Sequence, residues 1–321
     1  MTDAATDGGA RAYVLGRLSA DLYPQQLNTP LEEVRTFERF VGGFAGNIAT
    51  GLARLGVPTA IVSAVGDDGH GRFVRAFLER EGVDTTALGV HPVLRTALAF
   101  CEAWPPDHFP LTFYRTPTCP DWELTLEDLP PHMDRAWLMY ASGTGLAREP
   151  SRSTTLAALE RRASGTTIFD LDWREMLWTD AREYGPLARR AARYANVLIG
   201  GASEFAAAGI DPREALALGP DLVVVKRGGE GAKVIDRDGE RHVPPVEVPV
   251  VNGLGAGDAF AAAFGAALIA GLDGAQSASR GNAAGAIVAA RLSCSTAMPT
   301  SAEIDTILAG GRVVDGQVLG Q

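Results

Sequence analysis

The sequence predicts an α/β fold: a mainly parallel sheet covered by helices, with a small antiparallel insert acting as a lid. Three observations carry this. Short β-branched runs alternate with amphipathic helical stretches along most of the 321 residues. The alternation breaks once, over 91–121, where two apolar runs are joined by the proline-rich WPPDHFP with no helix between them. Hydrophobic residues make up 46% of the chain and charged residues 21%, enough to fill a sizeable core.

The elements follow in order. Residues 1–11, MTDAATDGGAR, are small and polar and read as a loose tail before a domain over 12–321. The first strand is expected at 12–15, and 17–30 is mixed and polar. A short strand over 33–40 leads into Gly42-Gly43. Residues 45–55 alternate small and apolar side chains at helical spacing until Gly56 stops them. A β-branched run follows over 59–65, then an amphipathic helix over 73–81. The insert contributes strands at 97–103 and 111–114, and lid segments are expected over 21–41 and 91–120. The α/β rhythm then returns, with strands at 136–140, 167–171, 197–199 and 222–226 and helices at 150–164 and 181–194. A hairpin is expected around Asp238-Gly239, then a long helix from 256 and another over 275–291.

Composition excludes several functions. A net charge of −10 with scattered basic residues argues against a nucleic-acid partner. The apolar stretch over 259–272 is too short and too rich in alanine and glycine to span a membrane. The N-terminus lacks a basic region followed by an apolar one, so it does not read as a signal peptide. Cys101, Cys119 and Cys294 are odd in number and far apart, which fits a reducing cytoplasm, and the five histidines have no zinc spacing.

The most informative stretch is NGLGAGDAF, which places Gly253, Gly255 and Gly257 on alternate positions before Asp258 and an alanine-rich helix. A glycine turn entering a helix leaves outward N–H groups unpaired, and the helix dipole adds positive charge, so phosphate is the usual occupant. Asp258 is either a first-turn charge favourable to the helix or a general base beside that anion cradle. Walker A is excluded because Gly-Lys occurs nowhere, and the dinucleotide motif GxGxxG fails because Asp258 holds the third glycine position.

These residues resemble the PfkB/ribokinase family of carbohydrate kinases, whose glycine turn typically reads DTxGAGD. An early family motif, GGFAGNIATGLARLG followed by VGDDGHG, stands at the family's spacing, and VKRGGEG resembles a third segment near the nucleotide phosphates. GRLSADLYPQQ, PPDHFPLTFYRTPTCPD, SGTGLAREPSR and NAAGAIVAARLSCSTAMPT resemble in particular the members that act in myo-inositol catabolism. The resemblance implies a ribokinase-like three-layer sandwich with a β lid. It also implies phosphoryl transfer from ATP, with Mg2+, to a primary hydroxyl of a keto-deoxy sugar acid, 5-dehydro-2-deoxygluconate. A homodimer joined through the lid is the family default.

The resemblance also implies roles. Asp258 is the base, and the amides of Gly255, Ala256 and Gly257 form the anion hole. Asp21, at the end of the first strand, hydrogen-bonds sugar hydroxyls, and Gly42, Gly43 and Asn47 face the sugar. Arg115, in FYRTP, binds the substrate carboxylate, with Phe113 and Tyr114 beside it. Arg174, ending DLDWR, reaches the substrate or the transferring phosphate, or else pairs structurally with Asp172, which replaces the family's asparagine. Lys226, Gly228, Gly231 and Asn282 border the nucleotide. Glu204 is the one candidate for organising metal, in a segment where Gly201 replaces the family's asparagine. Asn252 replaces an aspartate that in relatives helps hold a monovalent cation, so no such cation is assigned. The alternatives are a 2-dehydro-3-deoxygluconate kinase, a fructokinase or a nucleoside kinase on the same machinery. A sugar sensor that has lost the chemistry is also left open, whereas a nicotinamide dehydrogenase is disfavoured by the absent fingerprint.

Overall fold

The structure is a computed structural model that describes residues 12–320; the expected N-terminal tail lies outside the described residues. In chain order the elements begin with β1 (Ala12–Leu15), β2 (Ser19–Pro24), β3 (Phe37–Gly42), α1 (Phe44–Arg54), β4 (Thr59–Gly66), α2 (Gly69–Arg80), β5 (Leu88–His91), β6 (Leu98–Cys101) and β7 (Leu111–Tyr114). They continue with β8 (Leu138–Ser142), α3 (Ser151–Glu160), β9 (Thr166–Asp170), α4 (Tyr184–Ala192), β10 (Val197–Gly201), α5 (Ala202–Ala208) and β11 (Leu222–Lys226). The chain closes with β12 (Ala232–Asp236), β13 (Gly239–Val243), α6 (Ala256–Ile269), α7 (Gly274–Ala289) and α8 (Ser301–Leu308), then a small hairpin of β14 (Arg312–Val314) and β15 (Gln317–Leu319).

The main sheet has nine strands in the order β13-β12-β11-β10-β9-β8-β1-β4-β5. From β11 to β5 every pairing is parallel, and β12 and β13 return antiparallel at one edge. Strands buried on both faces need apolar residues on both, which is why β11 reads LVVVK and β4 TAIVSAVG without alternation. One face packs under α1, α2 and α6 through Ile48, Leu52, Phe77 and Phe264. The other packs under α3, α4 and α5 through Leu156, Ala188 and Phe205. The result is the expected three-layer sandwich.

The lid is a separate four-stranded sheet in the order β3-β2-β6-β7. The polar stretch expected over 17–30 contains β2. Its alternation is masked because the side facing the main body carries Ser19 and Asp21 while Leu22 points the other way. Register makes this explicit. Asp21 stands opposite Phe40 and Ala99, and Ala99 opposite Phe113, so these share the inner face. Phe37, Phe100 and Tyr114 line the outer face as edge-to-face aromatic contacts. The inner face closes on the glycine turn: Tyr23, Phe40 and Cys101 cluster with Cys294 and Leu254. The short elements β5, α5 and α8 also lay outside the sequence expectation, being too brief to show a period.

Candidate active site

Parallel strands end on the same edge of a sheet, and ligands in such folds bind at those C-terminal ends. Here β1 runs into Arg17, β8 ends at Ser142, β9 at Asp170, β10 leads to Glu204 and β11 ends at Lys226. Register levels them: Ser142 lies opposite Asp170, and Gly201 opposite Lys226. The amino end of α6 and the inner face of the lid close over this edge.

Gly255 precedes α6 with φ +81°, a conformation that L side chains rarely adopt, and a Cβ there would meet Cys294 Cβ at 2.4 Å. The turn can therefore be built only with glycine; the Ala256 N–H donates back to the Gly253 carbonyl at 3.4 Å, while Gly257 N–H is among the first-turn amides that a helix leaves without an intrahelical partner. Asp258 follows in that first turn, where Asn47 Nδ2 donates to its Oδ2 at 2.7 Å. Its recessed position raises the Asp258 carboxyl above the ordinary range, and nearby Asp172 adds to this; Asn47, Arg17 and Lys226 pull the other way without cancelling it. The amide oxygen of Asn47, Oδ1, is buried without a hydrogen-bond partner among the described residues.

Lys226 sits against the same turn: a methyl group at Gly257 would stand 3.4 Å from its Nζ. The ammonium donates to Asp170 Oδ2 at 2.8 Å. Burial raises the Asp170 carboxyl while Lys226 opposes the rise, leaving it elevated. Asp172, at φ 33°, accepts from Thr144 Oγ1 at 2.7 Å and from Ser142 Oγ at 3.3 Å. Arg17 lies 3.4 Å and Arg174 3.3 Å from its oxygens. Burial alone would raise Asp172, but the two guanidinium groups and the Thr144 hydroxyl hold it below the ordinary carboxylate range.

Arg174 thus forms the structural pair with Asp172 that the sequence left open, and Glu204 lies 3.8 Å from it. Arg174 nevertheless stays over a third exposed at the cleft, within electrostatic reach of Asp258. Glu204 accepts backbone N–H groups from Gly201 at 2.6 Å and Trp173 at 3.2 Å, so its oxygens brace the ends of β10 and β9. No cluster of three metal-ligating side chains occurs among the described residues.

On the lid side, Asp21 is buried on β2 and accepts from Ser19 Oγ at 2.6 Å. Burial pushes its pKa up to about 6, against the lowering effects of Ser19, Arg17 and Arg115. It lies on a lid strand, not at the end of the first strand. Gly42, opposite Ser19 on β3, is where a Cβ would sit 1.9 Å from Asp21 Oδ2, so only glycine admits this carboxylate. Gly43 is the next residue and precedes α1. Arg115 is 2% exposed; it donates from Nη2 to Asp121 Oδ1 at 2.5 Å and stacks 4.5 Å over Trp122.

The remaining sequence candidates lie farther along the same edge. Gly228 and Gly231 bracket the tight turn between β11 and β12. Asn282 donates to the carbonyls of Val243 and Pro244, and the Val243 carbonyl lies against Gly231, so the three border one surface. The surface depressions lined by Arg75, Glu79 and Leu88 and by Leu129, Met133 and Arg161 share no residue with this site. Arg17, Asp121, Asp170 and Thr144 are additions from the structure. Only Asp170, at the end of a buried strand in DLDW, carried a readable signal.

The carbohydrate-kinase model of the pfkB family matches residues 10–301. The chain belongs to the pfkB family. Among curated members, 5-dehydro-2-deoxygluconokinase of Clostridium tetani is 33% identical over 95% of this chain and 94% of its own. 5-Dehydro-2-deoxygluconokinase 1 of Bacillus cereus is 34% identical over 92% of this chain and 93% of its own. Among solved structures, Vibrio cholerae fructokinase with fructose, ADP and calcium bound superposes with a TM-score of 0.83 at 28% identity, covering 93% of this chain and 99% of that one. Salmonella enterica aminoimidazole riboside kinase, complexed with aminoimidazole riboside and an ATP analogue, superposes at 0.80 with 29% identity and the same coverages. This pfkB-family kinase therefore has the ribokinase-like sandwich with its lid. Among the described residues no helix is long and apolar enough to cross a membrane.

Proposed function

We propose that this pfkB-family carbohydrate kinase transfers the γ-phosphoryl group of ATP to a primary hydroxyl of 5-dehydro-2-deoxygluconate. The observation that carries the chemistry is the Asp258 carboxylate, recessed in the first turn of α6 beside Lys226 and fixed by Asn47. The substrate rests on the names of the relatives, at about one third identity over nearly the whole chain. Buried arginines on the lid side favour an acid over a neutral sugar.

In this reading Asp258 takes the proton of the acceptor hydroxyl as its oxygen bonds to the γ-phosphorus and the bond to ADP breaks. The amides of Gly255, Ala256 and Gly257 and the Lys226 ammonium stabilise charge on the transferring group. Asp21, Gly42, Gly43 and Asn47 position the sugar, Arg115 binds its carboxylate, and Arg174 approaches the transferring phosphate. The turn of Gly228 and Gly231, with Asn282, borders the nucleotide. Magnesium would come with ATP and would neutralise phosphate charge; among the described residues the protein offers no cage of carboxylates for it. Glu204 acts by bracing the strand ends beside it. We place the enzyme in the cytoplasm on its three buried free thiols, and as a homodimer joined through the outer aromatic face of the lid.

The test is ADP release with magnesium, ATP and a panel of 5-dehydro-2-deoxygluconate, 2-dehydro-3-deoxygluconate, fructose, ribose and adenosine. Selective turnover of the first is expected. Preference for another sugar would retain the mechanism and replace the substrate, and ATP binding without turnover of any would favour a sensor.

A further inference from the structure

We infer that Arg17 is a specificity-determining residue, the second arm of a carboxylate clamp whose first arm is Arg115. The inference rests on the reading that the substrate is a sugar acid.

The two side chains come from the main sheet and from the lid, and both lie within electrostatic reach of Asp21. Arg17 leaves the end of β1 and is 9% exposed; Arg115 follows β7 and is 2% exposed. One carboxylate joins their surroundings: Asp121 accepts from Leu18 N at 2.7 Å through Oδ2 and from Arg115 Nη2 at 2.5 Å through Oδ1. Phe113, two residues before Arg115 and so on the same lid face, lies 5.7 Å from the Arg17 guanidinium. Both guanidinium groups act on the carboxyl of Asp21, which sits between them and the sugar-binding glycines.

What distinguishes these arginines is what their donors lack. Arg17 has one long contact, from Nη2 to Asp172 at 3.4 Å, and its buried Nε has no acceptor among the described residues. Arg115 uses Nη2 on Asp121, and its buried Nε and Nη1 have no acceptor among the described residues. Buried guanidinium N–H groups without acceptors are strongly disfavoured, so a set of them on two converging arginines marks a place for an anion. A planar carboxylate accepts through both oxygens and matches this donor geometry. Phosphate in transfer belongs at the α6 turn and Lys226, whereas these donors lie at the lid root beside Asp21. The acid end of the substrate is the anion that reaches them.

A purely structural Arg17 would act through Asp172 and disturb every substrate alike. A clamp arm discriminates between an acid and its neutral counterpart. The experiment measures kcat and KM with ATP for wild type, Arg17→Gln and Arg17→Lys, using 5-dehydro-2-deoxygluconate and its C1 amide. Nucleotide affinity is followed as a control for folding. Wild type is expected to prefer the acid. Arg17→Gln is expected to raise KM for the acid by at least ~10-fold while shifting the amide far less, with Arg17→Lys recovering part of the preference. If Arg17→Gln does not fold, a smaller but equally selective loss in Arg17→Lys supports the clamp. Equal losses for acid and amide in the folded variant overturn the inference and leave the substrate reading standing. A wild type that ignores the acid, or treats acid and amide alike, overturns the substrate reading and the clamp together.

Discussion

At the scale of single residues, the site is a set of carboxyl groups kept in different protonation environments. Asp172 is held low by Arg17, Arg174 and Thr144, whereas Asp258 is raised by its recessed position and by Asp172. A base with a raised pKa holds the proton it takes more tightly, which suits proton removal from a hydroxyl. Asp258→Asn keeps the hydrogen-bonding shape and is expected to lower kcat by ~10² or more with little effect on nucleotide affinity. Near-normal turnover would remove Asp258 from the base role. In the wild type, kcat/KM is expected to fall with acidification at a pH above the ordinary carboxylate range, because Asp258 must be deprotonated to act. Asp21 supplies a second test. Its folded pKa of about 6 lies above that of a free aspartate, so the folded form binds the proton more tightly than the unfolded form. This contribution stabilises the fold below about pH 4 and is lost as pH rises through about 6. Asp21→Asn is therefore expected to melt higher than wild type at pH 7–8, by up to ~3 kcal/mol, with the difference shrinking as pH falls from 6 to 4. Thermal melts across that window check it, and a constant difference would contradict it. The same variant is expected to lose sugar affinity, so the stability sacrificed at Asp21 serves binding.

At the scale of elements, the lid and the glycine turn are coupled by packing. Phe109, in the proline-rich turn between β6 and β7, lies close enough to Gly253 that a Cβ there would sit 3.2 Å from its ring. On the inner face, the Tyr23 hydroxyl donates to Cys294 Sγ at 3.4 Å, and Cys294 stands against Gly255. The anion turn is thus shaped from behind by lid residues. The β2–β3 pairing sets the other side of the cleft: Ser19 opposes Gly42, and Asp21 points into the space that Gly42 leaves open. Gly42→Ala would force the carboxylate out of position. It is expected to raise KM for the sugar acid by ~10-fold or more while leaving nucleotide affinity near normal, measured by calorimetry with each ligand separately. An unchanged KM would mean that Asp21 does not hold the sugar.

At the scale of the molecule, an acidic protein with net charge −10 binds two anions by concentrating cations at one sheet edge. Arg17, Arg115, Arg174 and Lys226 gather there around Asp21, Asp170, Asp172, Glu204 and Asp258. Since ATP engages only the folded arrangement, nucleotide with magnesium at about 100 times its Kd is expected to stabilise the fold by about 2.7 kcal/mol, read as a higher Tm. No shift at saturating nucleotide would contradict the proposed cradle. The local part of this design was legible in the sequence. Alternating β-branched and amphipathic runs specified the layers, and the breakdown of alternation marked the lid. The glycine spacing before Asp258 specified an anion turn, because backbone conformation is dictated by neighbouring residues. The strand β2 was hidden because its inner positions carry the buried polar residues Ser19 and Asp21, which inverts the usual pattern. Arg17 and Asp121, and the ion pair that Asp170 makes, were hidden for another reason. Their partners are Asp172, Leu18, Arg115 and Lys226, and most of these lie far away along the chain. Whether a guanidinium is buried, and which of its N–H groups find acceptors, depends on how distant segments pack. The sequence by itself determined the fold, the glycine turn before α6 and its candidate base. Only the tertiary structure decided where charge is buried, how each carboxyl group is tuned and which arginine donors lack acceptors among the described residues, because burial and pairing arise from the convergence of strand ends.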